Sequence, residues 1–202
     1  LKEENQSFSE AGIQTHTESL RDSLKHFTES LNFDVVNPSS DQNLDQVNQK
    51  LSSYDGLIWG GSSLNIYNYT PEIKRQIEFM KECQKKVKNI LAICWGMQVA
   101  VTAAGGEVKK AQNSHIGIAN EIVLNKEGLK HPFYKNKKKK FNSPAFNFDE
   151  VVTLPQNSVC LASNKINKIQ SLYFNVKDCK IWGLQYHPEI TYEKMISLIE
   201  FR

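Results

Sequence analysis

Long apolar runs are missing from this chain of 202 residues. Its apolar stretches, such as Ile90 to Ile93 and Val99 to Val101, fall far short of the ~18 residues needed to span a bilayer, which excludes a transmembrane helix. Cysteine is sparse as well. Cys83, Cys94, Cys160 and Cys179 form no CxxC pair and have no histidine at zinc-finger spacing, so no metal site is expected and a reduced, cytoplasmic chain is. An excess of one charge is also lacking. The 25 Lys and Arg against 22 Asp and Glu leave +3, too little to build a nucleic-acid-binding field. The polar opening from Leu1 to Glu10 contains no apolar core of a signal peptide. A GxxxxGK[ST] phosphate loop is absent too, and no cofactor is expected. The one low-complexity run, Lys135-Asn136-Lys137-Lys138-Lys139-Lys140, lies between Pro132 and Pro144 and reads as a solvated loop.

What is present belongs to a folded domain: 40% hydrophobic and 23% charged residues are ordinary globular values. At about 150 residues per domain the length predicts one domain over residues 1–202. Leu20, Leu24, Phe27 and Leu31 recur on one helical face, which predicts a helix from Thr17 to Leu31. A short strand, Phe33 to Val36, and a helix carrying Leu44, Val47 and Leu51 follow. Gly56 to Trp59 reads as a buried strand running into the loop Gly60-Gly61-Ser62-Ser63. Thr70-Pro71 opens a helix carrying Ile73, Ile77 and Met80. Asn89 to Ile93 is a continuous apolar run, as in a central parallel strand, and breaks at Cys94-Trp95-Gly96 before a helix over Met97 to Ala104. The second half offers strands at Glu121 to Leu124, Val151 to Thr153, Val159 to Ala162, Ile169 to Phe174 and Ile181 to Tyr186, then a helix over Tyr192 to Phe201. No capping signal closes that helix before Arg202. The order of elements predicts an α/β fold with a mainly parallel sheet flanked by helices, its function carried at the strands' C-terminal ends.

Three segments carry chemistry there. A cysteine at the turn from a buried strand into a helix sits where oriented N–H groups favour a thiolate, and Gly96 gives that elbow the absence of a side chain it requires. The other three cysteines read as small buried hydrophobes. The strand Ile181 to Tyr186 delivers His187 to the same sheet edge, Pro188 holds the chain extended, and Glu189 can orient the imidazole. Backbone N–H groups of Gly60 or Gly61, with that of Trp95, are placed to stabilise an oxyanion. Nucleophile, base, orienting carboxylate and oxyanion hole are thus all available.

The glycine loop after a strand, Cys94-Trp95-Gly96-Met97-Gln98 and His187-Pro188-Glu189 resemble, in order, the motifs of the class I or triad glutamine amidotransferases. Tyr69 to Ile73 and His131 to Tyr134 look most like stand-alone members similar to the amidotransferase part of GMP synthase. The resemblance implies a three-layer, flavodoxin-like fold and attack of Cys94 on the glutamine side-chain amide. A γ-glutamyl thioester then forms, ammonia leaves and water releases glutamate. It also implies His187 as proton shuttle, Glu189 as its orienter, Gly61 and Trp95 as oxyanion donors, and Gly60, Gln98, Phe146, Asn147 and Phe148 around the substrate. A synthetase partner subunit would accept the ammonia; neither a nucleic acid nor a membrane is an expected partner.

Three departures from the family pattern stand out. The chain opens on polar residues where the family begins with an apolar strand, so that strand is absent or lies upstream of Leu1, and the C-terminal end is expected to be incomplete. Asn147 stands where many relatives have His, and His115-Ile116-Gly117 replaces Glu-Ile-Gly. Two alternatives use the same framework: a γ-glutamyl hydrolase or peptidase acting on γ-glutamyl amines or peptides, and a non-catalytic binding protein of this fold.

Overall fold

The computed structural model describes residues 7–28, 30–40 and 44–201. Leu1 to Gln6 of the polar opening and the terminal Arg202 lie outside the described residues. Helix α1 (His16–Lys25) starts with a reciprocal cap: the Thr15 hydroxyl accepts from the Glu18 N–H, and the Glu18 carboxylate accepts from the Thr15 N–H at 2.7 Å. Helix α2 (Leu44–Lys50) leads into strand β1 (Leu57–Trp59). Pro71 then opens α3 (Pro71–Lys86), its ring presetting φ where a helix needs no amide donor. Next come β2 (Asn89–Ile93), α4 (Trp95–Ala103), β3 (Glu107–Leu124), α5 (Lys126–Lys130) and β4 (Lys140–Thr153). The chain ends with β5 (Val159–Ser163), β6 (Ser171–Val176), β7 (Cys179–Leu184) and α6 (Tyr192–Phe201).

The strands form one sheet in the order β1-β2-β7-β6-β5-β3-β4. Alternating side chains feed two cores. Ile90, Ala92, Leu172, Phe174 and Ile181 pack with Ile73, Ile77 and Met80 of α3 and with Met97 and Val101 of α4. On the other side Leu91, Tyr173 and Leu184 meet Leu124, Tyr134 and Leu161. Fully burying each such aliphatic side chain contributes about 1.5–3 kcal/mol. These layers place β2 between β1 and β7, all three parallel, so their C-terminal ends meet at one edge.

The α/β class and the positions of α2, α3, α4, α6, β1 and β2 match the sequence expectations. The expected mainly parallel sheet holds only for β1, β2 and β7. The β7–β6, β6–β5, β5–β3 and β3–β4 pairings are antiparallel, the chain reversing direction from β3 to β4, from β5 to β6 and from β6 to β7. Helix α1 ends at Lys25, short of the expected Leu31, and Phe27 beyond it is 85% exposed. No strand forms over Phe33 to Val36, a stretch with no hydrogen-bonded strand beside it among the described residues. The largest difference is the β3–β4 ribbon, of which sequence patterning marks only the ends: its strands pair along most of their length, interrupted at Lys110/His115 and Ala119/Ile122.

Candidate active site

At the end of β2 the backbone turns sharply. Cys94 has φ 52° and ψ −104°, a conformation that L-residues rarely adopt and that persists only when neighbours enforce it. The enforcing contacts come from three elements. The Cys94 N–H donates to the Leu184 carbonyl of β7 at 2.6 Å, and the Gly96 N–H to the Gly60 carbonyl after β1 at 3.2 Å. The Trp95 indole N–H donates to Gln76 Oε1 of α3 at 2.8 Å. Gly96 is needed for close approach: a Cβ there would stand 2.2 Å from the Trp59 carbonyl oxygen. Trp95, the first residue of α4, presents an N–H that has no partner within its own helix.

The segment after β7 brings His187 and Glu189 to the same edge. Both are buried, and His187 Nδ1 lies 2.7 Å from Glu189 Oε1. Burial alone would push the imidazole towards neutrality. The Glu189 carboxylate and the Cys94 thiol outweigh it and hold the His187 pKa well above its usual value. Burial likewise raises the Glu189 carboxyl, and the imidazole overrides it, so its pKa ends below the ordinary range. Gly61 lies against the ring, where a Cβ would be 2.8 Å from His187 Cε1.

A cavity of about 20 Å³ opens on the sulfur, lined by Ser62, Ser63, Cys94, Phe146 and His187, with His16 of α1 and Ile190 and Leu198 near and on α6. That is space for about one water. Of the residues expected around a substrate, Phe146 lines this cavity and its carbonyl accepts from the Cys94 thiol at 3.7 Å. Gln98 is buried on α4 with its Oε1 unpartnered, while Gly60 contributes the carbonyl that fixes the elbow. Asn147 and Phe148 are not among the lining residues: Phe148 is exposed, and Asn147 Nδ2 donates to the Asp149 carbonyl at 3.1 Å.

Two residues reach the site that the sequence pattern does not single out. His16 stacks on His187, ring centroids 6.3 Å apart and planes 20° from parallel. Gln185, wholly buried, donates from Nε2 to Cys94 Sγ at 3.7 Å. The signal for Gln185 is its place two residues before His187; for His16 there is none, since a lone histidine opening a polar helix points to solvent by default.

The two internal departures from the family pattern face each other. His115 and Asn147 are register partners across β3 and β4. His115 Nε2 lies 3.1 Å from Gln170 Nε2 and 3.3 Å from Asn164 Nδ2, and Asn147 Nδ2 lies 3.5 Å from Asn167 Oδ1. Two amide donors on one ring nitrogen require that nitrogen to accept, and burial lowers the His115 pKa in the same sense, towards a neutral ring.

A family model described as glutamine amidotransferase class-I matches residues 13–200. The chain is 33% identical over 172 residues to a γ-glutamyl-L-1-hydroxyisopropylamide hydrolase of a Pseudomonas species, covering 83% of this chain and 57% of the relative. It therefore spans little more than half of that protein's length. It is also 30% identical over 160 residues to a glutamine-hydrolysing GMP synthase subunit of Methanosphaera stadtmanae, covering 77% of this chain and 74% of the relative. Among solved structures, a putative GMP synthase subunit of Thermoplasma acidophilum superposes with a TM-score of 0.72 at 19% identity, over 94% of this chain and 87% of the other. That likeness concerns the fold.

Proposed function

The chain belongs to the class I glutamine amidotransferases, and on that premise we propose that it hydrolyses a γ-glutamyl amide through a thioester on Cys94. The observation that carries the reading is the convergence on one cavity of the Cys94 thiol and the His187 imidazole, the latter backed by Glu189 at 2.7 Å. The raised pKa of His187 favours an imidazolium, and an imidazolium beside the sulfur favours a thiolate. The thiolate attacks the γ-carbonyl carbon, and the carbonyl electron pair moves to oxygen, which the N–H groups of Gly61 and Trp95 receive. As the C–N bond breaks, His187 gives its proton to the leaving amine. His187 then takes a proton from water, whose oxygen attacks the thioester carbon, and the thiolate leaves as glutamate forms. Glu189 holds the imidazole in the required tautomer throughout.

With glutamine as substrate the leaving group is ammonia. The relatives named as glutamine-hydrolysing GMP synthase subunits support that version, in which a synthetase partner consumes it. The Pseudomonas hydrolase favours a second version, in which the leaving group is a substituted amine and no transfer follows. The test is glutamate release from glutamine and from a γ-glutamyl alkylamide. Cys94→Ala is expected to abolish both while leaving the fold intact; measurable hydrolysis by that variant defeats the reading.

A further inference from the structure

The mechanism above leaves Gln185 unused, although it is the side chain whose amide meets the attacking atom. Its main chain is already fixed, the N–H donating to the Gln170 carbonyl at 2.9 Å. The side chain is fully buried, its Nε2 is 3.7 Å from Cys94 Sγ, and its Oε1 has no hydrogen-bond partner. A carboxamide kept for packing alone is better replaced by an apolar residue of the same shape, because its orphaned oxygen bears a full desolvation penalty. One that cross-links two structural groups would use both ends. Here one end is spent on the sulfur, and the other on nothing.

The sulfur has one other close polar neighbour of opposite sense, the Phe146 carbonyl at 3.7 Å. A carbonyl can only accept, so it favours the protonated thiol; an amide N–H donates, so it favours the thiolate. The titratable groups around the cavity are His187, with Glu189 behind it, and His16 across from them. Without the Gln185 donor, the side-chain hydrogen bonds left to the sulfur among the described residues are those with His187 and with the accepting Phe146 carbonyl. We infer that Gln185 is a further residue of the thiol site, its N–H holding the sulfur of Cys94 as thiolate before attack and again as the thioester breaks. The inference rests on Cys94 being the nucleophile.

The experiment is the pH profile of Cys94 alkylation by iodoacetamide, with the modified residue identified by mass, in wild type, Gln185→Met and Gln185→Glu. Burial pushes the Cys83 and Cys179 thiols up to about 12 and about 11, so both stay silent where a Cys94 thiolate reacts. Both variants are expected to move the alkylation midpoint up by at least about one pH unit, a roughly tenfold loss of alkylation rate at any pH below the wild-type midpoint. Their alkylation at high pH is expected to stay close to wild type; Tm is expected to hold in Gln185→Met and to fall in Gln185→Glu, which buries a carboxylate. An unchanged midpoint in either folded variant overturns the inference and leaves the nucleophile reading standing. A wild-type Cys94 that is not alkylated at any pH at which the protein stays folded overturns both. Should neither variant fold, the Gln185 side-chain amide resonance of the wild type decides: it is expected to titrate with the thiol and to stop doing so in Cys94→Ser, and a resonance indifferent to pH overturns the inference.

Discussion

Glu189 shows how one residue can matter for turnover and for stability at once. Its pKa lies below the usual 4.5, so it contributes stability that is present above about pH 4.5 and is lost as pH falls through the folded value. His187 has the opposite sense: its pKa lies above 6.5, so its contribution is complete below 6.5 and fades as pH rises through the folded value. The pair is therefore strongest between these limits. Glu189→Gln is expected to lower kcat by about a hundredfold, within the range for a misoriented acid–base group. It is also expected to flatten the acid limb of Tm against pH below 4.5, as calorimetry across acidic pH would register. Cys94, His187 and Glu189 are legible as a sequence pattern because each sits at the end of an apolar strand or two residues beyond another candidate. His16 is not, and Gln185 is marked only by its place two residues before His187, since tertiary placement alone turns an ordinary surface-type histidine onto His187 and an ordinary amide towards the sulfur.

Elements set that placement, and α4 depends on a single hydrogen atom at Gly96. A methyl group there would press into the Trp59 carbonyl oxygen at 2.2 Å, and a backbone oxygen cannot yield cheaply. Gly96→Ala is expected to lower the thermal midpoint by roughly ten degrees or more, ~2 kcal/mol or greater, and to lose activity with it. Helix α1 is held differently. Its one buried residue is Ser19, and its ties are polar or peripheral: Lys194 Nζ donates to the Thr15 carbonyl at 3.1 Å, Ser23 Oγ to the Glu189 carbonyl at 3.3 Å, and Phe8 packs edge-on to His16 and Phe201. Phe8→Ala is expected to speed amide hydrogen exchange through residues 16–25 while leaving β2 and β7 protected, because the Phe8 ring belongs to a small cluster of its own with Ile190, Met195 and Leu198. The strands of the parallel half are readable from continuous apolar runs. The β3–β4 ribbon is not, because the stretch from Lys109 to Ser114 is mostly polar and its pairing is interrupted there, leaving no period-two signal. Phe33 to Val36 fails in the other direction, since β-branched residues make a strand only when a neighbour supplies hydrogen bonds.

For the whole molecule the question is what leaves when the C–N bond breaks. Among the described residues no helix is long and apolar enough to cross a membrane. Purified alone, the protein is expected to release glutamate from a γ-glutamyl alkylamide with a higher kcat/KM than from glutamine, in keeping with its 33% identical hydrolase relative. Competition kinetics between the two substrates checks this. A preference for glutamine that emerges only when a synthetase subunit is added would instead align it with the GMP synthase relatives.

The size of the cavity reaches beyond catalysis. A pocket of about 20 Å³ between α1 and α6 has space for about one solvent molecule. A molecule larger than water, peroxide or substrate alike, reaches the Cys94 sulfur by displacing lining side chains such as His16 of α1 and Leu198 of α6. A variant that loosens α1 is therefore expected to lose its Cys94 thiol to air faster than one that merely works more slowly.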